Sequence, residues 1–187
     1  RWREAIMDAV EGRELKEGHA PVSETPRPRL LMHFINSPIT TGRYMEEAAQ
    51  PSCNVLTAGY RLDEDVLRLW GFPDPIPPYR DQQIPLDHAA PYAELLKALP
   101  RGFRGAYYLW VDCGKQALPP DLALLPFPKF AYLIDSHVAL ASRIEMARPF
   151  DAVFLAQLGQ VQAFRDAGIK NVTWVPLACA PALHKLA

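Results

Sequence analysis

The clearest pattern in the chain runs from Pro128 to Ala178. An apolar run, Lys129-Phe-Ala-Tyr-Leu-Ile, ends in Asp135, Ser136 and His137. A segment with helical spacing follows, Val138 to Arg148. A second apolar run covers Asp151 to Gln157, a second helical segment covers Leu158 to Ala167, and Gly168 stops it. A third apolar run covers Asn171 to Ala178. Strand, helix, strand, helix, strand is the signature of a parallel sheet with crossover helices.

Upstream, the same alternation is legible. Arg29 to Asn36 reads as the first strand, and Tyr44 to Gln50 starts a helix after the polar turn Ser37–Arg43. Cys53 to Tyr60 reads as a second strand, and Asp63 to Trp70 as a short amphipathic helix. Pro73 to Pro85 reads as a long connection. Pro85 to Leu99 carries a helix with Tyr92, Leu95, Leu96 and Leu99 on one face, and Ala106 to Gly114 is another apolar run ending in an acid. The runs are continuous rather than alternating, as expected of strands covered on both faces. The predicted fold is therefore α/β: one doubly wound, mostly parallel, Rossmann-like sheet of five to six strands with helices on both faces. Residues 1–28 read as an N-terminal helical arm and proline-bearing linker, and residues 29–187 as the domain.

Composition narrows the class. The 187 residues suit one domain large enough to need no disulfide staples. A net charge of −1 gives no basic excess, so no nucleic-acid partner is expected. The three cysteines, Cys53, Cys113 and Cys179, have no CxxC spacing and read as reduced thiols of a cytoplasmic protein. No apolar run approaches the ~20 residues of a membrane span. The 19 prolines cluster in the connections, where proline breaks no element.

The candidate chemistry lies where strands end, because ligands of open α/β sheets sit outside the carboxyl ends. Two strands end in acids, Asp112 and Asp135, and His137 follows Asp135. A histidine beside a carboxylate is suited to general base work. The structural alternative is that Asp135 caps the next helix and His137 is a first-turn surface residue. Ser37, Thr40 and Thr41 in the first strand–helix turn, with Ser136 and Gln157, offer directional hydrogen bonds to a polar ligand; the first three also suit plain turn and cap roles. Several signatures are missing: G-x-G-x-x-G, the P-loop, G-x-S-x-G, and any pair of histidines or cysteines at metal-ligand spacing. No cofactor and no metal is therefore expected. His33, inside the first strand, reads as a core histidine. Tyr107, Tyr108, Trp110, Tyr132 and Trp174 read as core aromatics.

The ordered motifs PKFAYLIDSH and RPFDAVFLAQLGQVQAFRDAGIKNVTWVPLACAPALH resemble the N-terminal half of CgeB-like glycosyltransferases, a bacterial group of the GT-B fold. The resemblance covers about the last third of the chain. It implies a two-lobed enzyme with the active site between Rossmann-like lobes: an acceptor-binding N-terminal lobe and a lobe that binds the nucleotide-sugar donor. Transfer of a sugar to an acceptor hydroxyl would use a base on this lobe, His137 or Asp135, with Asp112 next. Ser37, Thr40 and Thr41 would line the acceptor side. The sequence ends where the donor lobe of that family begins. The expectation is an isolated lobe, a truncated form or a protein reduced to a binding role, inactive alone and prone to self-association through its exposed cleft face. The expected partners are a sugar acceptor (small molecule, glycan or protein) and, through the second lobe, a nucleotide-sugar donor. The competing reading is a non-catalytic Rossmann-like binding or protein-interaction domain. A response-regulator receiver fits less well, because the first strand ends in Asn36-Ser37 rather than in an acid cluster.

Overall fold

The computed structural model describes residues 27–103, 106–114 and 117–177. The predicted arm over residues 1–28 therefore lies almost wholly outside the described residues, as do Cys179 and the Pro181–Lys185 helix start.

Seven parallel strands form one sheet: β1 (Arg29–His33), β2 (Asn54–Gly59), β3 (Ile84–Pro85), β4 (Tyr107–Val111), β5 (Lys129–Leu133), β6 (Ala152–Leu155) and β7 (Val172–Trp174). Their order is β3-β2-β1-β4-β5-β6-β7. The expected α/β doubly wound sheet is present, with seven strands rather than five to six. The unforeseen strand is β3, inside the proline-rich connection. It pairs only through Ala58↔Ile84 and Gly59↔Pro85. Proline is admissible there because an edge strand has no outer neighbour that needs its N–H.

Helices α1 (Thr41–Ala49), α2 (Glu64–Leu69), α3 (Tyr92–Ala98), α4 (Leu140–Ala147) and α5 (Val161–Asp166) join the strands. α5 is preceded by a 3₁₀ turn over Leu158–Gln160. Both sheet faces are packed. Leu31, Tyr108, Trp110, Ala131, Leu133, Val153 and Leu155 meet α3, α4 and α5 through Tyr92, Leu95, Ala147, Val161 and Phe164. Met32, Phe34, Leu109, Val111, Phe130, Tyr132 and Phe154 form the opposite cluster, where α1 contributes Met45 and Ala49. A third cluster packs Leu67 of α2 against Ile35 and Leu62.

The opposite placement of α1 and of α4 and α5 follows from chain direction. The chain steps one way from β1 to β3 and the other way from β4 to β7. Right-handed crossovers then put the two sets of helices on opposite faces. β1 and β4 are neighbours whose connections diverge, so the topological switch point lies between their carboxyl ends.

Gly42 explains how closely α1 lies on β1. A Cβ at Gly42 would stand 2.2 Å from Cγ of Phe34, a fully buried ring. Any side chain there would push the helix off the strand.

Candidate functional site at the carboxyl edge of the sheet

The main chain of β1 continues in register past His33. The N–H of Asn36 donates to the Tyr60 carbonyl (2.7 Å), and the Leu62 N–H donates to the Asn36 carbonyl (3.0 Å). This carries Asn36 and Ser37, both buried, to the switch point. The Asn36 side chain is held in place. Its Oδ1 accepts from Arg43 Nη2 at 2.8 Å, and its Nδ2 donates to the Arg80 carbonyl at 3.2 Å. Arg43 also pairs with the buried Glu46 (2.7 Å), which takes a second ion pair from Arg80. Glu46 thus ties the end of the proline-rich connection to α1. Gln82 and Gln83 fasten the same segment, donating to the Phe34 carbonyl and accepting from the Thr57 N–H respectively. The connection is thus an anchored cover over the rim.

Ser37 uses its hydroxyl to donate to the Ile39 carbonyl at 2.8 Å. Thr40 is the N-cap residue of α1 and Thr41 its first residue. Ser37, Thr40 and Thr41 are therefore gathered in one turn beside the switch point, with the Ser37 hydroxyl already committed.

Across the switch point, Asp112 follows β4 and is wholly buried. Its Oδ1 accepts the Gly114 N–H at 2.7 Å, and its Oδ2 lies 2.6 Å from Arg143 Nη1. Burial raises its pKa. The Gly114 N–H and the Arg143 charge pull the other way, and the charge of Asp135 adds to the rise. Burial outweighs the ion pair here because the carboxylate has lost its water and Arg143 approaches Oδ2 without the alignment of a hydrogen bond.

Asp135 follows β5 by two residues, is exposed, and adopts φ 49°. Aspartate tolerates this left-handed conformation better than most residues. Its carbonyl accepts the Val138 N–H at 2.8 Å, closing a tight turn that presents His137 to solvent. Asp135 does not cap α4; Ala139 occupies that position. No hydrogen bond or ion pair joins His137 to Asp135 or Asp112 among the described residues.

Ser136 points the other way and is fully buried. Its N–H and its hydroxyl both donate to Gln157 Oε1, at 3.2 and 3.0 Å. Ser136 and Gln157 thus satisfy each other and pin the turn after β5 to the end of β6. The structure brings Asp112 and Asp135 together on one rim, leaves Asp135 and His137 accessible, and commits Ser136, Gln157 and Asp112 to internal bonds.

Arg143 is the functional-site residue that sequence reasoning missed. It sits on α4, eight residues after Asp135, and one basic residue on an amphipathic helix carries no signal of its partner. The Arg43–Glu46 pair was missed as well, because the helix begins at Thr41 rather than at Tyr44 and so takes Arg43 into its first turn, and Arg80 was hidden in the proline-rich connection.

His33 is buried in β1, its Nδ1 2.7 Å from the Tyr108 hydroxyl. Burial lowers its pKa to about 4. It belongs to the core, as expected. Trp174 departs from the core expectation. It is 44% exposed and donates through its indole N–H to the Ala156 carbonyl at 3.3 Å, so it lies along the last loop rather than under a helix.

Among the described residues no cluster of histidine, cysteine or acidic side chains could hold a metal ion, and no helix is long and apolar enough to cross a membrane. No family model, no curated protein and no solved structure gives a significant match to this chain.

Proposed function

We propose that this chain is the acceptor-binding lobe of a GT-B glycosyltransferase, working in a reducing, cytoplasmic compartment. The acceptor lies at the carboxyl edge, between the turn holding Thr40 and Thr41 and the turn holding Asp135 and His137. A base in the second turn, His137 or Asp135, takes the proton of the acceptor hydroxyl. The freed oxygen bonds to the anomeric carbon of the donor sugar as the bond from that carbon to the phosphate oxygen breaks, its electron pair leaving with the nucleotide. The donor is held by a second lobe. Asp112 positions rather than reacts, since it is buried and clamped by Arg143 and Gly114.

The observation that carries this reading is the accessible Asp135 and His137 pair beside the second strand-end acid, at the rim where α/β sheets take ligands. The exposed apolar residues Ile39, Val138, Leu158 and Leu177 add support. They follow β1, β5, β6 and β7, so they stand on the same rim, as suits a face that meets another lobe or another copy of this chain.

The alternative, a non-catalytic binding domain, draws on a different observation. Ser37, Ser136, Gln157 and Asp112 are already bonded internally, which leaves few groups for chemistry. Calorimetric titration with UDP-, GDP- and TDP-sugars and a panel of hydroxyl acceptors separates the two. Acceptor binding without nucleotide-sugar binding fits an acceptor lobe. Binding of neither favours the interaction domain.

A further inference from the structure

We infer that the free edge of the Arg143 guanidinium is a subsite for a neutral ligand with two adjacent hydroxyls, such as a sugar ring. The inference rests on the acceptor-lobe reading and names the class of acceptor.

The position in the sheet suits this role. Strand β4 lies between β1 and β5. The Asp112–Arg143 pair at the end of β4 therefore stands between the turn holding Thr40 and Thr41 and the turn holding Asp135 and His137. Arg143 reaches this place from the first turn of α4.

The bonding of Arg143 is incomplete. A guanidinium carries five N–H donors. Nη1 lies 2.6 Å from Asp112 Oδ2 and donates to Met146 Sδ at 3.7 Å. Nε and Nη2, which form one edge of the planar group, have no acceptor among the described residues. Neither is sealed from solvent, yet the side chain is only 13% exposed. Donors this far out of water, with nothing to donate to, cost free energy that a bound acceptor oxygen would recover. Asp112 adds an independent sign. Its Oδ2 is buried and has no hydrogen-bond partner, so the ion pair satisfies neither member fully. Gly114 brings no side chain to Nη2; a Cβ there would already be in van der Waals contact, at 3.7 Å.

Geometry and charge together select the ligand. The Nε–H and Nη2–H bonds run side by side and suit two neighbouring oxygens. Carboxylate, phosphate and adjacent hydroxyls all offer such a pair. The charge of Arg143 is matched by Asp112, and the charge of Asp135 acts on the same place. These three groups leave the rim one unit negative, which disfavours an anion. Hydroxyls carry no charge, and they can also donate to the exposed Asp135 carboxylate.

The test follows the Arg143 Nε–H signal by NMR of the whole chain, titrated at constant ionic strength with methyl mannoside, methyl glucoside and methyl galactoside. The tightest binder is then compared with its 3-deoxy and 6-deoxy derivatives. Loss of the 3-hydroxyl leaves no adjacent pair on the ring, whereas loss of the 6-hydroxyl leaves both pairs. A saturable shift is expected with the parent and the 6-deoxy compound, and binding about tenfold weaker with the 3-deoxy compound. Arg143→Lys keeps a cation for Asp112 and removes the two-pronged edge, so the folded variant should also bind about tenfold more weakly. If that variant does not fold, the deoxy comparison in the wild type decides alone. No saturable shift with any of the three glycosides, equal binding of the 3-deoxy compound, or unchanged affinity in folded Arg143→Lys overturns the subsite. A saturable shift with acetate or inorganic phosphate but with no glycoside also overturns it. Glycoside binding at Arg143 without transfer in a two-lobed enzyme carrying this lobe would leave the subsite and remove the glycosyl-transfer reading. Transfer with an acceptor KM unchanged by Arg143→Lys would do the reverse.

Discussion

Asp112 and Arg143 meet at the carboxyl rim, with Oδ2 2.6 Å from Nη1, one residue wholly buried and the other on the first crossover helix after β5. The pair joins the loop after β4 to α4 and holds the strand-end acid out of solvent. Truncating the cation leaves a buried carboxylate uncompensated, which typically costs about 3–5 kcal/mol. Because the pKa of Asp112 is already raised, the folded state holds its proton at pH values where the unfolded chain has lost it. Stability from this group is therefore present at low pH and falls as pH rises from about 3.8 through the folded pKa. Arg143→Met should destabilise by roughly 3 kcal/mol at pH 8 and by less at pH 5. The double variant with Asp112→Asn should recover much of the loss. Urea unfolding at the two pH values reads both effects, and equal losses at each pH would show that Asp112 is not the titrating group.

His33 acts with the opposite sign. Its pKa falls to about 4 on burial, so the folded state resists the proton that the unfolded chain accepts near 6.5. Its contribution is complete above about pH 6.5 and is lost as pH falls toward 4, by roughly 3 kcal/mol. Unfolding midpoints from pH 7 to pH 4 should drop more steeply in the wild type than in His33→Leu. The variant lowers stability at pH 7, where Tyr108 loses its partner. Parallel slopes would reject the assignment.

Gly42→Ala sets a propensity gain against a clash. Alanine is better than glycine in a helix interior by about 1 kcal/mol. The new methyl would meet a buried phenyl ring that has no room to move, and overpacking costs about 1–3 kcal/mol or more. Net destabilisation is expected, and Phe34→Leu in the same chain should return part of it. A stabilised single variant would mean that α1 slides easily on β1.

Gln157 and Ser136 should behave as a structural pair. Gln157→Leu leaves a buried N–H and a buried hydroxyl unsatisfied, for a loss of about 1–3 kcal/mol. Ser136→Ala should cost less, since the backbone bond survives. Ligand affinity of either variant, measured where it is folded, should match the wild type; a large affinity loss with unchanged stability would return the pair to the binding surface.

Asp135 and His137 should show the reverse profile. Both are exposed, and Asp135→Asn keeps a residue that tolerates the left-handed backbone. His137→Ala and Asp135→Asn should leave urea stability within about 0.5 kcal/mol. In a two-lobed enzyme carrying this lobe, at least one of them should cut turnover strongly. Unchanged turnover in both would take this turn out of the mechanism.

The order of elements was legible in the sequence because burying both sheet faces forces continuous apolar runs, and runs such as FAYL and AVFL need no tertiary context to be read. The strand-end placement of Asp112 and Asp135 followed from the same pattern. β3 was not legible, because two residues at a proline-bearing edge carry no periodicity. Partnerships were the other loss. Arg143 with Asp112, Arg80 with Glu46, and Gln157 with Ser136 join residues 21–34 positions apart, and spacing along the chain says nothing about which side chains meet across a rim. Sequence alone determined that this is a parallel α/β sheet with acids at two strand ends. Only the tertiary structure decided which of those acids is buried and clamped, which is open to a ligand, and which polar groups are already spent, because burial and hydrogen-bond partners are properties of neighbours in space.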